Sequence, residues 1–391
     1  MASATLPTRS PTLPEGLRQP WPADARARWG LRPALALPLV ALGMWAQARG
    51  FESTSHRTFA AQAAAVRAGG SDLAGLGAAY PPTPTLLAGL VPGGALGLSV
   101  VASLLAGCTL HLVWEQLVRR GFAPALTACL LLPLFAVPAV AYAASQSVAG
   151  VALLSLLAIA LHGFVRFTVS RDTEAGFVTG LALAAAFTVD PIAVFYALAL
   201  GTATWFIAHE RFQAERFGAR ATVAVIVFPT VFAVLSWMFL EWRFTGSVFG
   251  TVVADPAVLT FTDGVWPALR TAAATVGAAL LHVPLFVAVG VIYAVRRPVA
   301  LVGCLTSVVA SVIAVWVGLR YTPVTAYVLF TLVALLAVPR DTGRRTGAVL
   351  AAVAPAQLVL ARVWPPTSPG FTDWLAAVTA PLNAAWPPST G

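Results

Sequence analysis

Long apolar runs alternate with short polar segments along most of this chain. A helix needs about 20 predominantly apolar residues to cross the hydrocarbon core of a bilayer, and eleven runs approach that length. They lie at residues 31–48, 94–114, 123–144, 148–165, 175–189, 191–208, 221–240, 271–295, 298–317, 322–338 and 346–362. The pattern predicts an all-α fold: a polytopic transmembrane helical bundle of about 11 spans, within a range of about 10 to 12.

The polar segments divide the chain into three parts. Residues 1–30 are rich in proline and arginine and are typical of a disordered cytosolic tail. Residues 31–362 hold the predicted bundle, with long outer loops at 49–93 and 241–270. Residues 363–391 form an outer C-terminal tail.

Two of the segments outside the predicted spans have apolar residues at helical spacing. In Ser55–Ala68 these are Phe59, Ala63 and Val66, and a similar pattern recurs in Phe371–Trp386. Each segment predicts an amphipathic helix. It would lie on the membrane surface or pack against the bundle, and the spacing favours neither placement.

Composition agrees with the apolar runs. The 391 residues are 59% hydrophobic and only 10% charged, and the mean hydropathy is +0.82. Ordinary soluble domains carry about 25% charged residues. These values exclude a soluble domain and, because the apolar content is so high, a disordered chain.

The net charge of +9 comes entirely from arginine, because the chain has no lysine. Placing the N-terminus in the cytosol puts 17 arginines in inner segments and 7 in outer ones. Cytosolic loops are enriched in basic residues, so the split predicts a cytosolic N-terminus, an outer C-terminus and a multi-pass protein of the plasma membrane. The arginines are scattered over short loops, which argues against nucleic acid as a partner.

Metal and nucleotide chemistry find little support in the sequence. Cys108, Cys129 and Cys304 all fall inside apolar runs, as small core residues do. The spacing of the five histidines matches no metal motif, and no phosphate-binding glycine loop occurs. We therefore predict no cofactor and no metal residues, with a divalent metal left open.

Candidate chemistry lies among the outer acids, because charges near a membrane core are costly and need a reason. Glu52 follows the first span directly and, if the stretch is helical, shares a face with His56. A carboxylate facing an outer cavity could act as a general base on an acceptor hydroxyl. The alternative is a capping residue, or a partner for the nearby Arg57.

Two further outer positions also allow either a functional or an ordinary structural role. Asp190 precedes Pro191 between the fifth and sixth runs, where it is either a turn residue or a second outward carboxylate. Arg320, followed by Tyr321, runs against the inner bias of the arginines. Its guanidinium either binds a phosphate or reaches for lipid headgroups.

Five features, in this order, resemble the GT-C superfamily of integral-membrane glycosyltransferases, which use polyprenyl-phosphate sugars. Each feature is weak alone, and together they cover about residues 31–340. They are a basic tail and one span followed by the acid Glu52, and then the segments Tyr80–Leu87, Gly180–Pro191, Glu241–Phe249 and Arg320–Pro323.

The resemblance implies a bundle with a cavity at the outer leaflet, where a polyprenyl-phosphate sugar meets a cell-envelope glycan or protein acceptor among the membrane lipids. It implies Glu52 as the catalytic first-loop acid and Arg320 near the donor phosphate. With these we group the other predicted substrate-binding residues, which are His56, Arg57, Tyr80, Asp190, Arg243 and Tyr321.

The chain also departs from the family pattern. Glu52 is followed by Ser53 where the family often has a second acid, and only residues 363–391 follow the last predicted span. A non-catalytic membrane partner or scaffold with the same fold is therefore the alternative. A transporter or lipid flippase comes third, because the sequence has no clear internal repeat and few mid-span charges.

Overall fold

The structure, a computed structural model, describes most of the chain. The described residues are 21–69, 80–170, 172–211, 216–248, 264–296, 298–319, 322–339, 343–366, 368 and 370–385. Within them the chain forms sixteen helices and no strand, which confirms the predicted all-α class. The helices are α1 (Ala25–Ala48), α2 (Thr54–Ala68), α3 (Pro82–Leu90), α4 (Ala95–Arg119), α5 (Pro124–Phe135), α6 (Pro138–Gln146), α7 (Val148–Ser170), α8 (Thr173–Phe187), α9 (Ala193–Arg211), α10 (Arg216–Thr245), α11 (Val265–Leu281), α12 (Pro284–Arg296), α13 (Pro298–Trp316), α14 (Pro323–Ala337), α15 (Arg344–Val363) and α16 (Phe371–Ala385).

The helices identify a membrane protein. Among the described residues, five are long and apolar enough to cross a bilayer: α1, α4, α7, α10 and α15. The number rises to as many as seven if the bent pairs α5–α6 and α11–α12 each make one span. The shorter apolar helices α8, α9, α13 and α14 occupy four more of the predicted runs, and the total of about 11 spans stays a prediction.

Several boundaries differ from those expected from the sequence, and three of the differences have a clear local cause. The run at 123–144 is broken between α5 and α6 with a bend of 66°, and the run at 271–295 is broken between α11 and α12 with a bend of 95°. A proline opens the second helix of each pair, where it has no N–H to continue the preceding helix. The first helix begins at Ala25, inside the predicted tail, because the Asp24 side chain caps its N-terminus.

Both breaks depend on polar side chains from neighbouring helices. The Tyr327 hydroxyl of α14 donates a hydrogen bond to the Pro133 carbonyl of α5, at 3.2 Å. At the second break, Gln357 Oε1 of α15 accepts from the Leu285 N–H at 3.2 Å, and its Nε2 donates to Thr331 of α14 at 2.9 Å. In a water-free interior each such group needs a partner, so these contacts hold the bends in place.

The helix α14 lies in the centre of the bundle. Twelve of its fifteen residues are buried, and it contacts α4, α5, α6, α7, α11 and α12. At its C-terminal end the Arg120 guanidinium donates to the carbonyls of Leu336 and Val338. Glu115 pairs with Arg119 one turn apart near the same place, as their spacing predicts. We call this the predicted inner end.

The opposite end, which we call the predicted outer end, holds α2, α3 and α16. Both predicted amphipathic segments form helices, and both pack against the bundle. In α16, Phe371 and Trp374 are buried and their rings contact Tyr142 of α6, with centroids 5.8 and 5.5 Å apart. The Trp45 indole of α1 donates to the Val378 carbonyl of α16 at 3.3 Å.

Candidate functional site

The first predicted site residue, Glu52, lies between α1 and α2. Ser53 caps α2, and the helix begins at Thr54, so Glu52 is outside it. The Glu52 side chain is exposed, whereas His56 is completely buried. The two residues therefore do not share a helix face. The sequence predicted a shared face only if a helix ran through both residues, and it does not.

His56 fastens α2 to the bundle. Its Nε2 accepts a hydrogen bond from the Val148 N–H at the start of α7, at 3.1 Å, and its Nδ1 lies 3.4 Å from the Ser99 hydroxyl of α4. Next to it, the Ser53 hydroxyl donates to the Gln146 carbonyl at 2.6 Å. With both ring nitrogens in protein contacts, this histidine positions α2. Its predicted substrate contact stays a prediction.

Burial lowers the pKa of His56 from 6.5 to about 4, which makes the docking of α2 sensitive to acid. The undocked imidazole binds a proton more readily, so the stabilisation is complete above pH 6.5 and is lost as the pH falls towards 4. We expect the free energy of unfolding, measured by thermal unfolding, to fall by up to about 1.4 kcal/mol for each pH unit between pH 6.5 and 4. His56→Asn keeps hydrogen-bonding groups but does not titrate, and it should show a flatter profile. Parallel profiles for both proteins would contradict this role.

Tyr80 lies at the centre of the predicted outer end. Its hydroxyl donates to the Phe187 carbonyl, at the end of α8, over 2.8 Å. Its ring contacts Trp237 of α10 and Phe187, with centroids 5.1 and 5.9 Å apart. Three residues on, the Thr83 N–H donates to the Thr188 carbonyl at 3.1 Å. The segment before α3 is thus held between α8 and α10.

Two carboxylates act on Tyr80 from different elements. Burial raises the pKa of the Tyr80 phenol far above its ordinary value, and the charges of Asp190 and Glu241 raise it further. Asp190 belongs to the turn between α8 and α9, and Glu241 belongs to the last turns of α10. The fold therefore brings together one residue from the first outer loop and two acids that are far apart in sequence.

Asp190 is a partly buried acid with an unusual titration. Its Oδ1 accepts a hydrogen bond from the Ile192 N–H at 2.9 Å, the turn geometry that Asp-Pro predicts. Burial nevertheless raises the pKa of this carboxyl from 3.8 to about 6. A carboxyl with such a pKa can take up and release protons near neutral pH.

A cavity of about 360 Å³ lies beside this cluster, between α2, α3 and α10. Glu241 and Trp237 line it from α10, Arg67 lines it from α2, and Thr85 lines it from α3. Glu241 is only 1% exposed, and the Arg67 guanidinium donates to the Gly89 carbonyl. The remaining lining is mostly apolar. This is the volume of a small ligand pocket.

None of the predicted site residues that the structure describes lines this cavity, Tyr80 and Asp190 included. Arg57 and Arg243 are exposed, Glu52 does not line the cavity, and Arg320 and Tyr321 lie outside the described residues. Of the predicted set, the structure brings Tyr80 and Asp190 together. Across the described ranges, no three His, Cys, Asp or Glu side chains group as a metal site.

Three residues of this region were not among the predicted site residues: Arg67, Trp237 and Glu241. A signal for Glu241 existed, because it is one of the seven acids in predicted outer segments and directly follows the seventh apolar run. Arg67 looked like an ordinary basic residue at the end of a surface helix. Its relation to Glu241 arises only when α2 packs near α10.

Comparison with known proteins adds no relative. No family model, curated protein or solved structure matches this chain.

Proposed function

We propose that this chain is a glycosyltransferase of the plasma membrane. It would move a sugar from a polyprenyl-phosphate donor to a cell-envelope acceptor at the outer leaflet. The proposal is supported by the order of motifs that resembles the GT-C superfamily. The single observation that carries it is the position of the Asp190 carboxyl, which the Ile192 N–H holds in the turn between α8 and α9, close enough to Tyr80 for its charge to act on that phenol.

Asp190 would act as the general base of an inverting transfer. The acceptor hydroxyl gives its proton to the Asp190 carboxylate, and its oxygen forms a bond to the anomeric carbon. The bond from that carbon to the phosphate oxygen breaks, and polyprenyl phosphate leaves with the electron pair. The Ile192 N–H holds Oδ1, so the carboxylate keeps one orientation towards the acceptor.

This assignment moves the base from Glu52 to Asp190. Glu52 is exposed to solvent between α1 and α2, whereas Asp190 is partly buried and its charge acts on Tyr80. Arg320 and Arg57 remain our predicted partners for the charge of the departing phosphate. Tyr80 would support Asp190 as a positioning residue on the side facing α10.

Transfer from radiolabelled polyprenyl-phosphate sugars, measured in proteoliposomes with extracted envelope acceptors, tests the proposal. We expect Asp190→Asn to lower the rate by about 10²- to 10⁴-fold, because a general base is lost. In the unmodified protein the rate should rise with pH through about 6, as the Asp190 carboxyl loses its proton.

Two matched variants make this test sharp. Glu174→Gln removes an exposed acid at the start of α8 and should leave the rate unchanged. Glu52→Gln distinguishes the two candidate bases: loss of transfer in this variant with a normal rate in Asp190→Asn would return the role to Glu52. Transfer that survives in both variants would overturn carboxylate catalysis at either position.

A non-catalytic scaffold is the second candidate, and one observation favours it. The Tyr80 hydroxyl is engaged by the Phe187 carbonyl and its ring lies between Phe187 and Trp237, an arrangement that also serves simple packing. A scaffold predicts no sugar transfer by the unmodified protein with any polyprenyl-phosphate donor, together with a stable complex with another envelope protein.

A further inference from the structure

The helices α12, α13 and α15 have one end each at the predicted inner end. The Tyr293 hydroxyl of α12 donates to the Ala337 carbonyl, where α14 ends. Arg296, the last residue of α12, donates to the Thr346 hydroxyl at the start of α15, over 2.8 Å. The helix α13 begins at Pro298, directly after α12. The starts of α13 and α15 therefore lie at the same level as the end of α12.

Both ends of α11 contact the far ends of α13 and α15. At the start of α11, the Val265 carbonyl accepts a hydrogen bond from the indole of Trp316, the last residue of α13, at 3.3 Å. Directly after α11, the His282 ring lies against the ring of Trp364, which follows α15, with centroids 4.4 Å apart. Two different helices thus position the two ends of α11.

The lengths of α13 and α15 give the depth of these contacts. The 19 residues of α13 correspond to about 28 Å of helix, and the 20 residues of α15 to about 30 Å. The hydrocarbon core of a bilayer is about 30 Å thick. Each end of α11 therefore lies about one bilayer thickness from the predicted inner end, and both ends lie at the predicted outer end.

A helix with both ends at one level lies across the bundle. The axis of α11 is bent by 95° from that of α12, so it is α12 that runs inwards. The buried residues Ala272, Val276 and Ala279 form one stripe along α11, and α11 contacts α12, α13 and α14. The helix therefore covers the outer ends of its neighbours along its whole length.

The exposed residues of α11 differ from those of a spanning helix. They include Arg270, Thr271 and Thr275, whereas the exposed residues of α10 are mainly phenylalanine, leucine and valine. Trp266 is 72% exposed and lies one turn before Arg270 on the same side of the helix. Tryptophan is enriched at the level of lipid headgroups, and guanidinium groups bind phosphate.

We propose that α11 lies parallel to the bilayer surface at the outer leaflet and binds the phospholipid headgroups there. Trp266 and Arg270 face the headgroups, and the stripe of Ala272, Val276 and Ala279 faces the bundle. This lipid-binding surface is independent of the proposed sugar transfer, because it uses neither Asp190 nor Tyr80. The run at 271–295 then crosses the membrane with α12 alone.

The depth of α11 distinguishes this arrangement from a broken span that begins with α11. In a broken span, residue 278 would lie about 12 Å deeper than residue 270, because each residue of a helix rises about 1.5 Å along its axis. In the parallel arrangement the exposed positions 270, 274 and 278 lie at equal depth.

Fluorescence quenching in phosphatidylcholine vesicles measures this depth. The full-length protein, with Cys108, Cys129 and Cys304 replaced by alanine, carries bimane on a single cysteine in the variants Arg270→Cys, Ala274→Cys or Ala278→Cys. A nitroxide lipid labelled on the headgroup is compared with one labelled near the end of the acyl chain. We expect stronger quenching by the headgroup label at all three positions, with the same ratio of the two quenchers, because the helix stays at one depth.

Two positions of the spanning helix α10 calibrate the measurement. Phe232 and Phe239 are exposed and lie about 10 Å apart along the helix axis, so their cysteine variants should give clearly different ratios. Quenching by the chain-end label that increases from position 270 to 278 would overturn the proposal in favour of a broken span. Bimane that neither lipid quenches at these positions would overturn it as well, because α11 would then not contact the lipid headgroups.

Discussion

Replacing Gln357 with leucine is expected to lower the free energy of unfolding by about 2–4 kcal/mol. The Gln357 amide is completely buried and serves two other helices at once. Without it, the Leu285 N–H at the break between α11 and α12 loses its acceptor, and Thr331 of α14 loses a donor. In the hydrocarbon core of a bilayer water does not replace such contacts.

Thermal unfolding of the purified protein in detergent measures this effect, and the α11–α12 pair should show the earliest hydrogen exchange. Gln47→Leu is the matched control, because Gln47 is an exposed glutamine in α1 and its replacement should change stability by less than about 0.5 kcal/mol. Equal stability of the two variants would mean that the 95° bend does not depend on Gln357.

Gly180→Val should separate α8 from α10 and cost about 3 kcal/mol of stability. A Cβ atom at Gly180 would lie 2.7 Å from the Val225 carbonyl oxygen and 2.9 Å from that of Ile226. Backbone atoms cannot move aside without moving α10 as a whole. Because Tyr80 is held between Phe187 of α8 and Trp237 of α10, the variant should also lose the sugar transfer that we propose for this protein.

Gly277→Val is the appropriate comparison for this variant. Gly277 lies inside α11, and a Cβ there meets nothing within 4 Å. The change in helix propensity from glycine to valine is favourable and of similar size at both positions. Unfolding and transfer are measured side by side. A Gly180→Val protein with normal stability and normal transfer would show that the close approach of α8 and α10 does not build the site.

Most helices could be predicted from the sequence because apolar runs and helical spacing are local properties. The two bends were missed for a physical reason: hydrophobicity summed over a window does not register a missing N–H. Pro138 and Pro284 were visible in the sequence. A proline inside an apolar run is compatible with a kink, a break or a tolerated bend, and only the partners Tyr327 and Gln357 determine which one forms.

The candidate site could be predicted only in part. Tyr80 and Asp190 were found because proline motifs and acids in outer segments can be recognised from the sequence alone. The relation of Asp190 to Glu241 depends on how α8 packs on α10, and that contact joins segments about 50 residues apart in the chain. The shared face of Glu52 and His56 was conditional on a helix through both residues, and α2 begins only at Thr54, after the Ser53 cap, a detail that sequence spacing alone does not determine.

The position of α14 has a consequence for biogenesis. This helix is synthesised after nearly all the others, yet it packs against the early helices α4, α5, α6 and α7. Until α14 is inserted, Arg120 cannot donate to the carbonyls of Leu336 and Val338. The space that α14 occupies in the finished bundle must stay empty or be filled by lipid. Cells that stop translation before residue 322 would therefore produce a half-closed bundle, the kind of intermediate that membrane chaperones and proteases recognise.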